Sequence, residues 1–168
     1  MKKIPTLFKR EFESNKVSHI YPDVTKGMEW VLEGEGVATE KFDGACCAII
    51  GGELYKRYDA KNGKPVPEGA IKCQEKADPV TGHLPCWVKC SRKNKADKWF
   101  YIAYDNSAGL TDGTYEAVGP HFQGNPYNYL AQDILIKHGC TVLNVKRTFE
   151  GIRQYLQYNY IEGIVFWK

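Results

Sequence analysis

The stretch from Val37 to Tyr58 constrains the fold most, because strand-forming runs are separated there by tight-turn signals. The runs lie near 37–41, 45–50 and 53–58, with Asp43-Gly44 and Gly51-Gly52 between them. Adjacent glycines reach the positive φ values that a two-residue hairpin needs, so an antiparallel meander is expected. It would carry Lys41 and Arg57 on neighbouring strands of one sheet. Lys41, between Glu40 and the Asp43-Gly44 turn, would then sit at the mouth of that sheet. An amine at a half-buried strand end becomes nucleophilic when desolvation and nearby positive charge favour its neutral form. The same pentapeptide reads equally well as one solvated lysine among many.

Composition limits the classes available. With 168 residues the chain is expected to be one domain, 1–168, with a core of its own. A 43% hydrophobic and 26% charged make-up is that of an ordinary globular protein and leaves no need for disorder. No apolar run is long enough to span a bilayer, and Met1-Lys2-Lys3-Ile4-Pro5 leads into Phe8-Lys9-Arg10-Glu11-Phe12, not a secretory core. A cytoplasmic protein with no membrane partner is the expectation. The six cysteines then read as reduced thiols. Cys46 and Cys47 are adjacent on a strand and point to opposite faces, so they cannot chelate together. Cys86 and Cys90, with His83 before them, approach zinc-ligand spacing but lack a second ligand pair, which argues against a structural zinc there.

A net charge of +3 is compatible with an RNA substrate without establishing one. Lys89, Arg92, Lys93, Lys95 and Lys98 cluster beside Trp87, Trp99 and Phe100, and such a patch can follow phosphates and stack bases. For the individual lysines a solvated loop is the simpler reading.

Elsewhere the spacing predicts a short helix within 23–34, a long loop over 61–96, and strands at Trp99–Tyr104 and Gly113–Val118. A helix is expected from Pro126 to His138, with Pro126 in its first turn and Gly139 at its stop. Thr148 should cap another helix through Tyr158, and Ile161–Trp167 is apolar enough to be a central strand. Antiparallel strands with a few packed helices give an α+β domain.

Four segments carry a resemblance. K-F-D-G at 41–44, the basic strand L-Y-K-R-Y-D at 54–59, G-T-Y-E-A-V-G-P at 113–120 and I-E-G-I-V-F-W at 161–167 occur in the order found in the lysyl-nucleotide superfamily of ligases and capping enzymes. With P-E-G-A-I-K-C-Q-E (67–75), D-P-V-T-G-H-L-P-C-W-V (78–88) and Q-G-N-P-Y (123–127), the chain resembles the ATP-dependent 5′-to-3′ RNA ligase family, in its vertebrate RNA ligase-like branch, over roughly residues 38–168. The resemblance implies the antiparallel-sheet nucleotidyltransferase domain of the ATP-grasp-like ligase fold. It also implies ATP and Mg²⁺ as cofactors, and RNA with 5′-phosphate and 3′-hydroxyl ends as substrate.

Position by position, the resemblance makes Lys41 the nucleophile that takes AMP and Glu40 the reader of the adenine amino group. Asp43 and Gly44 would shape the turn. Arg57 would contact the ribose or the RNA-end phosphate, with Lys56 less suited because it faces the other side. Glu116 would accept from a ribose hydroxyl, and Glu162 would hold the metal. One of Trp99, Phe100 or Tyr101 would stack on adenine, although core packing is the favoured reading for all three. The family's later strand, with two lysines one residue apart on the α-phosphate, has only Lys168 to answer it here. Lys168 is therefore the expected phosphate contact, and three readings stay open: a truncated or split ligase that a further polypeptide segment completes, a natural short variant, or a domain that binds nucleotide without turning over well. Loss of such a preorganised cation costs ~10²–10³-fold in rate. Other readings are a catalytically weak nucleotide or RNA-end binding module, and GTP-dependent capping chemistry.

Overall fold

The computed structural model describes every residue from Met1 to Lys168. The chain begins with β1 (Phe8–Glu13), β2 (Lys16–Val24), a one-turn helix α1 (Glu29–Leu32) and β3 (Val37–Lys41). Next come β4 (Ala45–Ile50), β5 (Glu53–Ala60), β6 (Ile71–Lys72), β7 (Leu84–Lys89) and, after a 3₁₀ turn at Lys95–Asp97, α2 (Lys98–Asp105). The remainder is β8 (Gly113–Val118), β9 (Ile134–Lys137), α3 (Phe149–Tyr158) and β10 (Gly163–Trp167). All strand pairs are antiparallel, so the expected α+β class holds. No helix is long and apolar enough to cross a membrane.

The residues divide into two compact units, one made of 4–41 with 141–168 and the other of 1–3 with 42–140. The second unit holds a six-stranded sheet in the order β6-β7-β5-β4-β8-β9. Its β4–β5 hairpin forms as expected, with Gly51 and Gly52 at φ 58° and 76°. Both glycine amides donate to the Asp112 carboxylate, at 2.6 and 2.9 Å, and these bonds lower its pKa. Alternation along the strands gives the sheet two unlike faces. Cys47, Ile49, Leu54, Tyr115, Ala117 and Leu135 form the core on one face, with aromatic residues of α2 packed against them. Lys56, paired with Cys47 across the β4–β5 ladder, forms an ion pair with the fully buried Asp97. Cys46, Arg57 and Glu116 belong to the opposite face.

Three expectations fail in this unit. Trp99–Tyr104 is helical, not a strand, because its aromatic spacing also gives one helical face and that face finds the core of the sheet. The helix expected over Pro126–His138 is replaced by turns and β9, since Ile134–Lys137 pairs with β8 and tertiary pairing overrides local propensity. The loop expected over 61–96 contains β6 and β7, and β7 pairs with β5 over six residues despite Pro85.

In the other unit, β1 and β2 form a hairpin whose turn residues Ser14 and Asn15 have positive φ. The helix expected within 23–34 shrinks to α1, because β2 runs to Val24 and Gly34 turns the chain at φ 85°. β3 pairs with β10, so Lys41 and Arg57 do not lie on neighbouring strands of one sheet, and β10 is half of a two-stranded ladder and not a central strand. Thr148 caps α3 as expected, accepting from the Gly151 amide at 3.0 Å. Phe8, Ala38, Val145 and Ile152 form the core, flanked by Leu32, Phe149, Ile164 and Phe166.

Candidate functional site

The β3–β10 ladder brings two of the sequence motifs into register. Gly163 pairs with Lys41 and Ile164 with Glu40, and the Lys41 amine lies 2.5 Å from the Glu162 carboxylate. The lysine side chain is 50% exposed and the glutamate 35%, so the pair stands at a wet strand end, not in the desolvated niche anticipated for the amine. The ladder beneath is tied by hydrogen bonds beyond its own pairing. Thr39, 1% exposed, donates to the Val165 carbonyl at 3.1 Å and accepts from the Trp167 indole at 2.8 Å. The Glu40 amide donates to the Thr141 carbonyl at 3.0 Å, and desolvation raises the Glu40 carboxyl above its ordinary value. Strand alternation turns Glu40 to the opposite face from Lys41. Lys168 follows the far end of the ladder, where Trp167 pairs with Val37. Its amine is 2.6 Å from Glu35 and faces the Trp30 ring, so it is not brought beside Lys41.

In the sheet unit, the Asp43-Gly44 turn is braced by the segment 123–127. The Asp43 amide donates to the Tyr127 hydroxyl at 2.6 Å, and the Gln123 side-chain amide donates to the Gly44 carbonyl at 3.1 Å. A Cβ on Gly44 would collide with the Ala117 carbonyl and come within 2.8 Å of Val118. Only glycine permits this close approach to β8.

Cys46 and Glu116 stand directly opposite each other on β4 and β8. His138, just after β9, places Nε2 2.8 Å from the Glu116 carboxylate and Nδ1 2.9 Å from the Thr114 hydroxyl. One ligand atom from each of Cys46, Glu116 and His138 falls within 4.8 Å of the other two. Burial, then the Glu116 carboxylate, pushes the Cys46 thiol up to about 12 against an opposing pull from Arg57. Sequence reading placed His138 at the end of a helix, and a lone histidine carried no signal of its partners.

Arg57 lies on the Glu116 face, as alternation required, while Lys56 is committed to Asp97 on the other side. The Arg57 guanidinium donates to Asp59 at 2.8 Å and to the Met1 carbonyl at 2.9 Å, and covers the Trp87 ring. Trp99 stacks on His121 with centroids 3.4 Å apart and has Lys98 against its ring, while Phe100 meets Phe122 edge-on and Tyr101 faces Arg92. These three aromatics of α2, together with Tyr104, flank the core. Arg92, Lys93, Lys95 and Lys98 line a cleft of about 330 Å³, whereas Lys89 pairs with Glu53 outside it.

No protein-family model matches the sequence, and no curated protein matches it significantly. Lys41, Glu40, Glu162 and Lys168 lie in one unit and Asp43, Arg57 and Glu116 in the other, with the chain passing between them at Lys41-Phe42.

Proposed function

We propose that the protein is an ATP-dependent RNA ligase that works through a lysyl-AMP intermediate at Lys41. The observation that carries the reading is the register of β3 against β10, which pairs Gly163 with Lys41 and holds Glu162 2.5 Å from the Lys41 amine. These motifs stand at opposite ends of the part of the sequence that resembles the RNA ligase family. On this reading the finer fold is a nucleotidyltransferase domain of the ATP-grasp-like kind. The absence of disulfides among the six cysteines agrees with a cytoplasmic setting.

The Lys41 nitrogen attacks the α-phosphorus of ATP, forming a phosphorus–nitrogen bond as pyrophosphate leaves. AMP then passes to the 5′-phosphate of an RNA end, and a 3′-hydroxyl displaces AMP to seal the strand. An ammonium in an ion pair has no lone pair to offer, so the contact with Glu162 must open and the amine lose a proton before attack. Glu162 supplies the hard oxygen ligand suited to Mg²⁺, which would neutralise charge on the phosphoryl oxygens. In the sheet unit, considered by itself, the resemblance makes Glu116 an acceptor for a ribose hydroxyl and Arg57 a cation on the same sheet face.

Incubation with α-labelled ATP and Mg²⁺ followed by a denaturing gel is expected to show AMP attached to the wild-type chain and none on Lys41→Ala. A folded wild-type chain that takes no label would reject the proposal, and label from GTP alone would favour capping chemistry. The closed Lys41–Glu162 pair and the distant position of Lys168 favour a second reading, a nucleotide or RNA-end binding module with little turnover. That reading expects salt-dependent RNA binding without joined product.

A further inference from the structure

We propose that Cys46, Glu116 and His138 form a site for a borderline-soft divalent cation of the zinc class, with a fourth position open to water or a ligand. The donors come from β4, β8 and the residue following β9, and they converge on the sheet face away from the hydrophobic core. All three are partly buried, so they are shielded yet reachable. A sulfur, an imidazole and one carboxylate suit zinc or cobalt and do not suit magnesium or calcium, which take oxygen ligands. The site is therefore chemically distinct from the hard oxygen donor at Glu162.

The geometry is close to closure. In a tetrahedral site with metal–nitrogen and metal–oxygen bonds of about 2.0 Å, the nitrogen–oxygen edge is roughly 3.3 Å, and an edge to sulfur is roughly 3.5 Å. His138 and Glu116 stand at 2.8 Å and need only part slightly, while the widest separation in the trio, at most 4.8 Å, must shorten by about 1.3 Å or less to close the site. The Thr114 hydroxyl already holds His138 Nδ1 at 2.9 Å, which orients the ring with Nε2 toward the trio, the outer support that histidine ligands commonly have. Charge also balances. Binding releases the Cys46 thiol proton to solvent, the neutral His138 imidazole coordinates through Nε2 with its one proton on Nδ1 toward the Thr114 hydroxyl, and the thiolate and carboxylate neutralise the dication. Arg57 and the N-terminal ammonium are the nearby opposing cations, and the Arg57 guanidinium is directed to Asp59 and the Met1 carbonyl. One consequence rests on the function proposed above. A metal that takes Glu116 removes the acceptor offered to the ribose, so zinc-class cations and nucleotide compete.

Titration of the full chain with Co²⁺ tests the site through the thiolate-to-cobalt absorption band. The wild type is expected to take up one equivalent with that band, and Zn²⁺ to displace it. Cys46→Ser abolishes the band, Cys140→Ser, which alters an exposed thiol, retains it, and His138→Gln weakens cobalt binding by at least about tenfold. No band in the wild type, a band surviving Cys46→Ser, or a band lost in Cys140→Ser overturns the proposal. Should Cys46→Ser fail to fold by circular dichroism, wild-type affinity in His138→Gln overturns it instead. The band reports metal and not AMP transfer. A chain that binds cobalt but takes no label sinks the ligase reading alone, and one that takes label but shows no band sinks the metal site alone.

Discussion

The ion pair between Lys41 and Glu162 does little for stability, while the Glu162 carboxylate does much for the proposed chemistry. Both side chains are substantially exposed, so Glu162→Gln is expected to change unfolding free energy by no more than ~0.5–1 kcal/mol. AMP labelling should nevertheless fall by ~10²-fold or more, because the carboxylate is the oxygen ligand for the Mg²⁺ that would neutralise charge developing on the phosphoryl oxygens. Denaturant melts beside the labelling gel measure both quantities, and labelling at the wild-type level would remove Glu162 from the site. The buried thiols give a pH dependence. Cys46 and Cys90 are pushed up to about 12 and Cys47 is also raised, in each case chiefly by burial. Their folded-state values lie above the unfolded value of 9.0, so the stability they contribute is complete below that pH and drains away as pH rises toward about 12. The melting temperature is expected to fall by roughly 5 °C or more between about pH 8 and 10.5, and Cys90→Ala should flatten that fall.

At the scale of elements, legibility followed whether the signal was local. The Gly51-Gly52 hairpin and the Thr148 cap were readable because backbone φ and a capping hydroxyl act within a few residues. Residues 99–104 and 126–138 were not. Aromatic residues suit a strand or a helix face alike, and the core of the sheet selected the helix for one segment while β8 selected a strand within the other. The 41–44 turn combines both cases. Its glycine is legible as a turn residue, but the reason a side chain cannot stand there is the Ala117 carbonyl on β8. Gly44→Ala is therefore expected to destabilise the protein by ~1–3 kcal/mol, read by urea denaturation, while Gly51→Ala, which meets no neighbouring atom, shows only the cost of its positive φ.

For the molecule as a whole, a charged residue that the functional reading set aside bears strongly on stability. Lys56 neutralises Asp97, which is 1% exposed and also accepts from the Ser91 amide at 2.9 Å. Removing one partner of a buried pair strands the other charge, so Lys56→Met is expected to cost ~3–5 kcal/mol in denaturant unfolding, and Lys56→Met with Asp97→Leu to recover much of it. Sequence order alone determined the antiparallel α+β class, the β4–β5 hairpin, the α3 cap and the motif series from Lys41 to Glu162, because these depend on backbone preference and on residue type at short range. Tertiary structure decided that β3 pairs with β10, that Lys56 meets the buried Asp97, and that Cys46, Glu116 and His138 converge. Those outcomes depend on which distant segments bury surface and exchange hydrogen bonds, and no local spacing encodes that choice.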